Sequence, residues 1–184
     1  MQNTRICRSL LKVVTVLWMA LLFLANTHIA NGADPDVDAV RAKIEGVYAL
    51  EEWQTESGVF RPPQVDGRFS MLNGTIIVIL HNRMKESPQT TLAASGIYVL
   101  TEKEFSYRSP DRSVFTITPD SITVSHKPAW EGIRIFDVIR EGDNLRLRSQ
   151  SGQQEWFFTP EGETYSETNG NTFLKRVWRR ILVE

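Results

Sequence analysis

Two histidines, His81 and His126, are the only residues after position 32 suited to acid–base work near neutral pH. His126 alternates with Ile122 and Val124, so a strand would put it on their apolar face, which we predict to point inward. Desolvation there would shift its pKa and allow proton transfer. The simpler interpretation, which we favour for both histidines, is a structural side chain hydrogen-bonded to a carbonyl or a tyrosine.

Other catalytic motifs are missing from the sequence. It contains no His-x-His or His-Glu-x-x-His spacing of the kind that holds zinc, and no Gly-x-Ser-x-Gly nucleophile motif. It also has no glycine-rich phosphate loop. We therefore expect no metal, no cofactor and no catalytic residue, unless the protein is an enzyme that uses His126.

Aromatic residues are the more persuasive candidates for binding. Six of them fall on different predicted strands or strand ends: Tyr48, Trp53, Tyr98, Tyr107, Trp130 and Trp156. Aromatic side chains offer a large apolar area, and tyrosine and tryptophan add a polar tip that orients a ligand. Their other possible role is to fill the core. The predicted ligand-binding set is Tyr48, Tyr98, Tyr107, His126, Trp130, Arg134 and Trp156.

Basic residues are harder to place. Arg134 shares strand parity with Phe136 and Val138, so an inward face would make it a buried cation that needs a carboxylate. Outward placement is the commoner outcome for such a residue. The basic cluster at 175–180 is interpreted as the solvated outer face of a last strand.

The first thirty-two residues resemble a secretory signal peptide. Basic residues precede an apolar run from Val13 to Ala25, and Ala30-Asn31-Gly32 offers a cleavage site. The run is shorter than the roughly 20 residues that span a membrane. We predict a signal peptide at 1–32, a secreted or periplasmic protein at 33–184, and no stable membrane anchor.

Composition narrows the partners of the predicted mature chain. Three of the 21 basic residues lie in the leader, which leaves 18 basic and 22 acidic residues and a net charge of −4. Nucleic-acid binding needs a concentrated basic face, so it is not expected. The single cysteine, Cys7, also lies in the leader. A core without disulfides must therefore hold the domain together, and about 150 residues are enough for one.

The elements that would position these residues are one helix and many short strands. The segment Asp34 to Gly46 has a capping Asp, an early Pro and apolar residues at helical spacing. Turn signals then recur every eight to twelve residues: Asn73-Gly74, Ser109-Pro110-Asp111, Pro119-Asp120, Glu141–Asn144, Pro160–Gly162 and Asn169-Gly170. The prediction is an all-β, antiparallel up-and-down barrel of about 8–10 strands with an N-terminal helix. A sandwich is the alternative.

The pattern resembles the bacterial and fungal lipocalin-like domains. The similarity lies in Gly46-Val47-Tyr48-Ala49-Leu50, in Asp66–Ser70 before the Asn-Gly turn, in Gly96-Ile97-Tyr98, in the stretch from His126 to Leu147, and in the closing Trp178-Arg179-Arg180. Tyr48 replaces the tryptophan usual in the opening strand. The resemblance implies a barrel that encloses a ligand, and the family includes both carriers and a few enzymes.

Three functions remain open at this point. The first is an exported barrel that binds a small, largely apolar or amphipathic molecule in its interior. The second is a cofactor-free isomerase or hydratase with His126 as its acid or base. The third is a packed barrel that serves as an interaction module, with Trp130 as an exposed anchor. The sequence leaves the oligomeric state undetermined.

Overall fold

The computed structural model describes residues 35–84, 88–128 and 132–181. The predicted signal peptide, Cys7 and Trp130 lie outside the described residues. Helix α1 spans Pro35–Ile44. The strands are β1 Gly46–Thr55, β2 Gly58–Phe60, β3 Val65–Leu72, β4 Thr75–Asn82, β5 Gln89–Leu100, β6 Glu104–Ile117, β7 Ile122–Pro128, β8 Arg134–Glu141, β9 Asn144–Ser149, β10 Gln154–Phe158, β11 Gly162–Asn169 and β12 Thr172–Ile181.

Ten of these strands form a closed antiparallel barrel. Their order is β1, β3, β4, β5, β6, β8, β9, β10, β11 and β12, and β12 pairs with β1 to close the ring. The closing register places Leu50 opposite Trp178. The predicted barrel with one short helix is confirmed, and the sandwich alternative is wrong. Closure satisfies backbone groups that the edge strands of an open sheet would leave unpaired.

Two strands lie outside the ring. β2 pairs with the second half of β1, and β7 pairs with the second half of β6. β6 is long enough to pair with β8 through its first residues and with β7 through its last. β7 thus extends the sheet along the part of β6 that β8 does not reach.

Most turn predictions are confirmed, and one is wrong. Asn73 and Gly74 have φ values of 49° and 78°, as a two-residue hairpin turn with both residues left-handed requires. Ser109-Pro110-Asp111 was predicted as a turn but lies inside β6. The register of β5 shifts between Ser95 and Ile97 opposite this segment, and the Ser109 hydroxyl donates to the Ser95 carbonyl at 2.8 Å. A β-bulge therefore accommodates the proline within a continuous strand.

The helix closes one end of the barrel. Val40 and Ile44 are almost fully buried in the core. Lys43 Nζ donates to the Gly142 carbonyl at 2.7 Å, and Arg180 donates to the Lys43 carbonyl. We call this the plugged end and assign to it α1, the barrel residues Tyr48 and Arg180 that bond to helix carbonyls, Tyr98 that bonds to Glu45, and Phe158 that packs on Tyr48.

Candidate functional site: a cavity inside the barrel

The barrel encloses a cavity of ≈ 230 Å³. Its walls come from β3, β4, β5, β6, β10, β11 and β12, so it lies among residues that are far apart in sequence. The lining residues are Phe69, Ile76, Val78, Leu80, Leu92, Ala94, Ser95, Gly96, Tyr107, Ser109, Arg112, Trp156, Glu163, Tyr165, Glu167, Arg176 and Trp178. The wall from β3, β4 and β5 is mostly apolar. The ionisable residues all come from β6, β11 and β12.

Aromatic rings pack along one wall in tilted and edge-to-face pairs. Trp156 meets Tyr165 with ring centroids 5.0 Å apart, and it meets Phe69 at 5.3 Å. Tyr107 contacts the other side of Trp156 at 6.2 Å. Alternation along β10 and β11 brings Trp156 and Tyr165 directly opposite each other. The result is a rigid aromatic surface, because each ring is held by its neighbours.

The two cavity tyrosines remain protonated at neutral pH. Burial raises the pKa of Tyr107 to about 12, although the nearby Arg134 opposes the rise. Burial also raises the pKa of Tyr165, and its hydroxyl donates to Glu167 Oε2 at 2.7 Å. These phenols can therefore act as hydrogen-bond donors, but not as phenolate bases.

Arg176 is the central cation of the cavity. Its guanidinium carbon lies 4.4 Å from the Trp53 ring centroid and 6.0 Å from that of Tyr165. Burial lowers its pKa, but the ordinary value of 12.5 is so high that the group stays charged. Its Nε atom is buried without a hydrogen-bond partner. Arg112 on β6 also lines the cavity, and its Nε is likewise buried and unpartnered.

Glu163 is the most deeply buried acid at the site. Its side chain is 3% exposed, and neither carboxyl oxygen has a hydrogen-bond partner in the described structure. Burial raises its pKa well above the ordinary value, and the charge of Arg176 only partly opposes this rise. Glu163 is therefore held as a neutral carboxylic acid over a wider pH range than an exposed glutamate.

Three residues of the predicted binding set face the interior near this site. Tyr107 and Trp156 line the cavity. Arg134 pairs with Tyr107 across β6 and β8, and it lies on the same strand face as the fully buried Phe136. The inward alternative for Arg134 is thus the observed one, and the Tyr107 phenol is one of its hydrogen-bond partners.

Two predicted residues lie inside the barrel but belong to the plugged end. Tyr48 is completely buried and donates to the Ile44 carbonyl at 2.8 Å. Tyr98 donates to Glu45 Oε1 at 2.5 Å. Neither is among the cavity-lining residues. In the structure their hydroxyl groups fasten the helix and the residue after it to the barrel.

The predicted inward position of His126 is wrong. It lies exposed on β7, outside the ring, where Nδ1 is 2.9 Å from the Ser113 hydroxyl. Its strand companions Ile122 and Val124 are exposed as well, at 68% and 49%. The alternation was read correctly, but it shows only that the side chains share a face. It does not show that this face is buried.

The basic cluster at 175–180 was also misplaced in part. Arg176 and Arg180 share strand parity with Leu174 and the buried Trp178, so they point inward. Lys175 alternates with them, and the exposed Arg179 pairs with Glu51 at 2.8 Å on the outer face. If Trp178 is assigned to the inner face, strand alternation also places Arg176 and Arg180 on that face, so the sequence could have predicted their position.

Sequence reasoning missed the rest of the polar wall. Glu163, Tyr165 and Glu167 occupy alternate positions of β11, between β10 and β12. Arg112 directly follows Ser109-Pro110-Asp111, which was wrongly predicted as a turn, so the strand face of Arg112 could not be predicted. The available signal was the alternation from Gly162 to Glu167, in which two glutamates and a tyrosine alternate with small residues, because such a pattern has no aliphatic face and fits a strand with a polar inner face.

The described residues include no group of three or more His, Cys, Asp or Glu side chains placed to hold a metal ion. Across the same part of the chain, no helix is long and apolar enough to cross a membrane. No family model, curated protein or solved structure matches the chain. The resemblance to lipocalin-like domains therefore remains a prediction.

Proposed function

We propose that the protein is an exported barrel that binds a small, largely apolar molecule in its interior. The observation that carries this proposal is the cavity itself, which is walled by aromatic and aliphatic side chains inside a closed barrel. Sites for drug-sized ligands measure roughly 300–1,000 Å³, whereas a cavity of about 150 Å³ can hold one benzene ring. A volume of ≈ 230 Å³ suits a ligand of intermediate size.

The barrel's construction supports binding rather than simple packing. An eight-stranded barrel has an interior just wide enough to be filled by side chains, and ten strands enclose more room. The plugged end uses its large aromatic residues to fill that room. The wall residues Ala94, Ser95 and Gly96 are small, so the space beside them remains available to a guest.

Native mass spectrometry tests the proposal on protein purified from the organism that makes it. Ala94 lines the cavity, and its neighbour Ala93 points to the opposite face of β5 beside the exposed Ile79. We therefore compare wild type with Ala94→Leu and with the matched control Ala93→Leu. A bound small molecule is expected on wild type and Ala93→Leu, and it should be lost from Ala94→Leu.

Two results would contradict the proposal. One is that wild type carries no small molecule and takes up none from a panel of aromatic and aliphatic compounds monitored by tryptophan fluorescence. The other is that Ala94→Leu, folded by circular dichroism, retains the guest as well as Ala93→Leu does. Trp156 and Trp178 report on occupancy, since both line the cavity.

A further inference from the structure

The cavity holds two arginines whose guanidinium groups lack protein acceptors. Neither Arg112 nor Arg176 donates a hydrogen bond or forms an ion pair with any other residue in the described ranges, and both Nε atoms are buried. Both residues are partly buried, and a buried guanidinium N–H without an acceptor is costly. The stacking of Arg176 on Trp53 holds its plane in place but supplies no acceptor.

A third donor shares this situation. The indole Nε1 of Trp156 is buried without a partner and belongs to a cavity-lining residue. The buried acceptors without partners in the lining are the two carboxyl oxygens of Glu163, and the Glu167 carboxylate already accepts from the Tyr165 hydroxyl. The three unpartnered donors therefore outnumber the two unpartnered acceptor atoms, and a complementary guest has to bring acceptor oxygens.

The charges point the same way. Arg112 and Arg176 contribute two positive charges, and Glu167 contributes one negative charge. Burial raises the pKa of the Glu163 carboxyl, which opposes a second negative charge. The excess positive charge of the lining is therefore at most about one, which favours a monoanion over a dianion.

Building on the proposed function, we propose that the ligand is a small apolar carboxylic acid whose carboxylate is bound by Arg112 and Arg176. The remaining lining is aliphatic and aromatic, and it encloses a short chain or a single ring. Guanidinium groups match the two oxygens of a carboxylate, and both sides lose an unpaired charge on binding. A dianionic phosphate monoester would exceed the positive charge available, so it is the less suitable anion.

Charge-matched probes test this inference on the wild-type protein. Two series keep the apolar part nearly constant: phenylacetate with phenylacetamide and phenethylamine, and hexanoate with hexanamide and hexylamine. Isothermal titration calorimetry at neutral pH gives each Kd. We expect the acid of at least one series to bind roughly tenfold or more tightly than its amide, the size of one charge-assisted hydrogen bond, and the amine to bind least.

Variants then assign the effect to the two arginines. Arg176→Met and Arg112→Met should each weaken binding of the acid by roughly tenfold or more while leaving the amide nearly unchanged. Arg179→Met is the control on β12, and Arg108→Met is the control on β6; both residues are exposed. If Arg176→Met does not fold, Arg176→Lys replaces it, because lysine retains the charge but cannot donate two parallel hydrogen bonds. The affinities of the acid, amide and amine for the wild-type protein test the inference without any variant.

The outcomes separate this inference from the proposed function. If an amide or amine binds as tightly as its acid, or if inorganic phosphate displaces the acid at equal concentration, the carboxylate assignment is overturned and the cavity remains a ligand site. If no probe of any charge binds, both the assignment and the proposed function fail. Discrimination that survives in a folded double variant lacking both arginines also overturns the assignment.

Discussion

The two ends of the barrel interior are built on opposite principles. At the plugged end, the polar side chains that enter the core each bond to the protein: Tyr48 bonds to the helix, Tyr98 bonds to Glu45, and Arg180 donates to Lys43 and to Tyr48 through one terminal nitrogen, although its Nε is buried without an acceptor. At the cavity, Arg112, Arg176 and Trp156 retain buried donors without acceptors. In the first arrangement every one of these side chains has at least one protein partner. The second is complete only with a guest.

This contrast separates stability from recognition within one small domain. The helix and the aromatic residues packed near it stabilise the barrel at one end. The other end can then tolerate unpaired donors, which cost free energy in the unliganded protein. A guest that satisfies those donors recovers the cost as affinity. The comparison leads to three predictions on stability, ordered from the largest expected effect to the smallest.

Truncating a side chain in the plugged end should cost much more than truncating one in the cavity wall. Phe158 is 1% exposed and packs against Tyr48, so Phe158→Ala should lower the free energy of unfolding by about 3–5 kcal/mol. Leu92 already borders the cavity, so Leu92→Ala removes fewer contacts and should cost about 1–2 kcal/mol. Urea denaturation followed by circular dichroism measures both.

The exposed Leu72 supplies the control for this pair, since Leu72→Ala should be nearly neutral. Equal losses for Phe158→Ala and Leu92→Ala would show that the cavity wall is as tightly packed as the plugged end. The contrast between the two ends would then be lost.

Glu163 makes the cavity end sensitive to pH. Its pKa is raised in the folded state above the ordinary value of 4.5, so the folded protein binds more protons than the unfolded chain once the pH exceeds that value. Stability contributed by this group is therefore full below about pH 4.5 and falls as pH rises, by at most about 1.4 kcal/mol per pH unit. Glu163→Gln removes this loss.

Thermal melts from pH 4 to pH 8 test this sign. The difference in stability between Glu163→Gln and wild type should shift in favour of the variant as the pH rises. Glu161→Gln, an exposed neighbour in the loop before β11, should follow the wild-type profile. A Glu163→Gln profile parallel to wild type would mean that Glu163 ionises as readily in the barrel as in the unfolded chain.

The architecture was predictable because each hairpin carries its own local signal. Asn73-Gly74, the residues around Gly142 and Asn169-Gly170 all need left-handed backbone, and all occur where the predicted turns lie. The helix was equally clear from its cap and spacing. Successive hairpins are compatible with a sandwich or a barrel, and the barrel was the better prediction because closure leaves no unpaired edge in the ring.

The site residues were predictable from strand alternation only where it was clear which face of the strand points into the barrel. Tyr107 and Trp156 alternate with residues that are plainly outward, and both line the cavity. At His126, strand alternation gave a wrong prediction. β7 is not part of the closed ring, so neither of its faces points into the barrel interior. Arg176 was missed because the basic residues at 175–180 were assigned together to the outer face. Arg176 lies two residues before Trp178, so the two side chains lie on the same face of β12.

The smallest effect tests the plugged end at a single hydrogen bond. Tyr48→Phe keeps the ring but removes the hydroxyl that donates to the Ile44 carbonyl and accepts from Arg180. The loss should be about 1 kcal/mol of unfolding free energy, with ligand affinity unchanged, because Tyr48 does not line the cavity.

Tyr165→Phe provides the matched change on the cavity side, where the hydroxyl bonds to Glu167. Removing that hydroxyl leaves the Glu167 carboxylate free to compete with the ligand's carboxylate for Arg176, so Tyr165→Phe should weaken acid binding. A Tyr48→Phe variant that lost affinity as much as Tyr165→Phe would show that the two ends are coupled, and stability could then no longer be assigned to one end and recognition to the other.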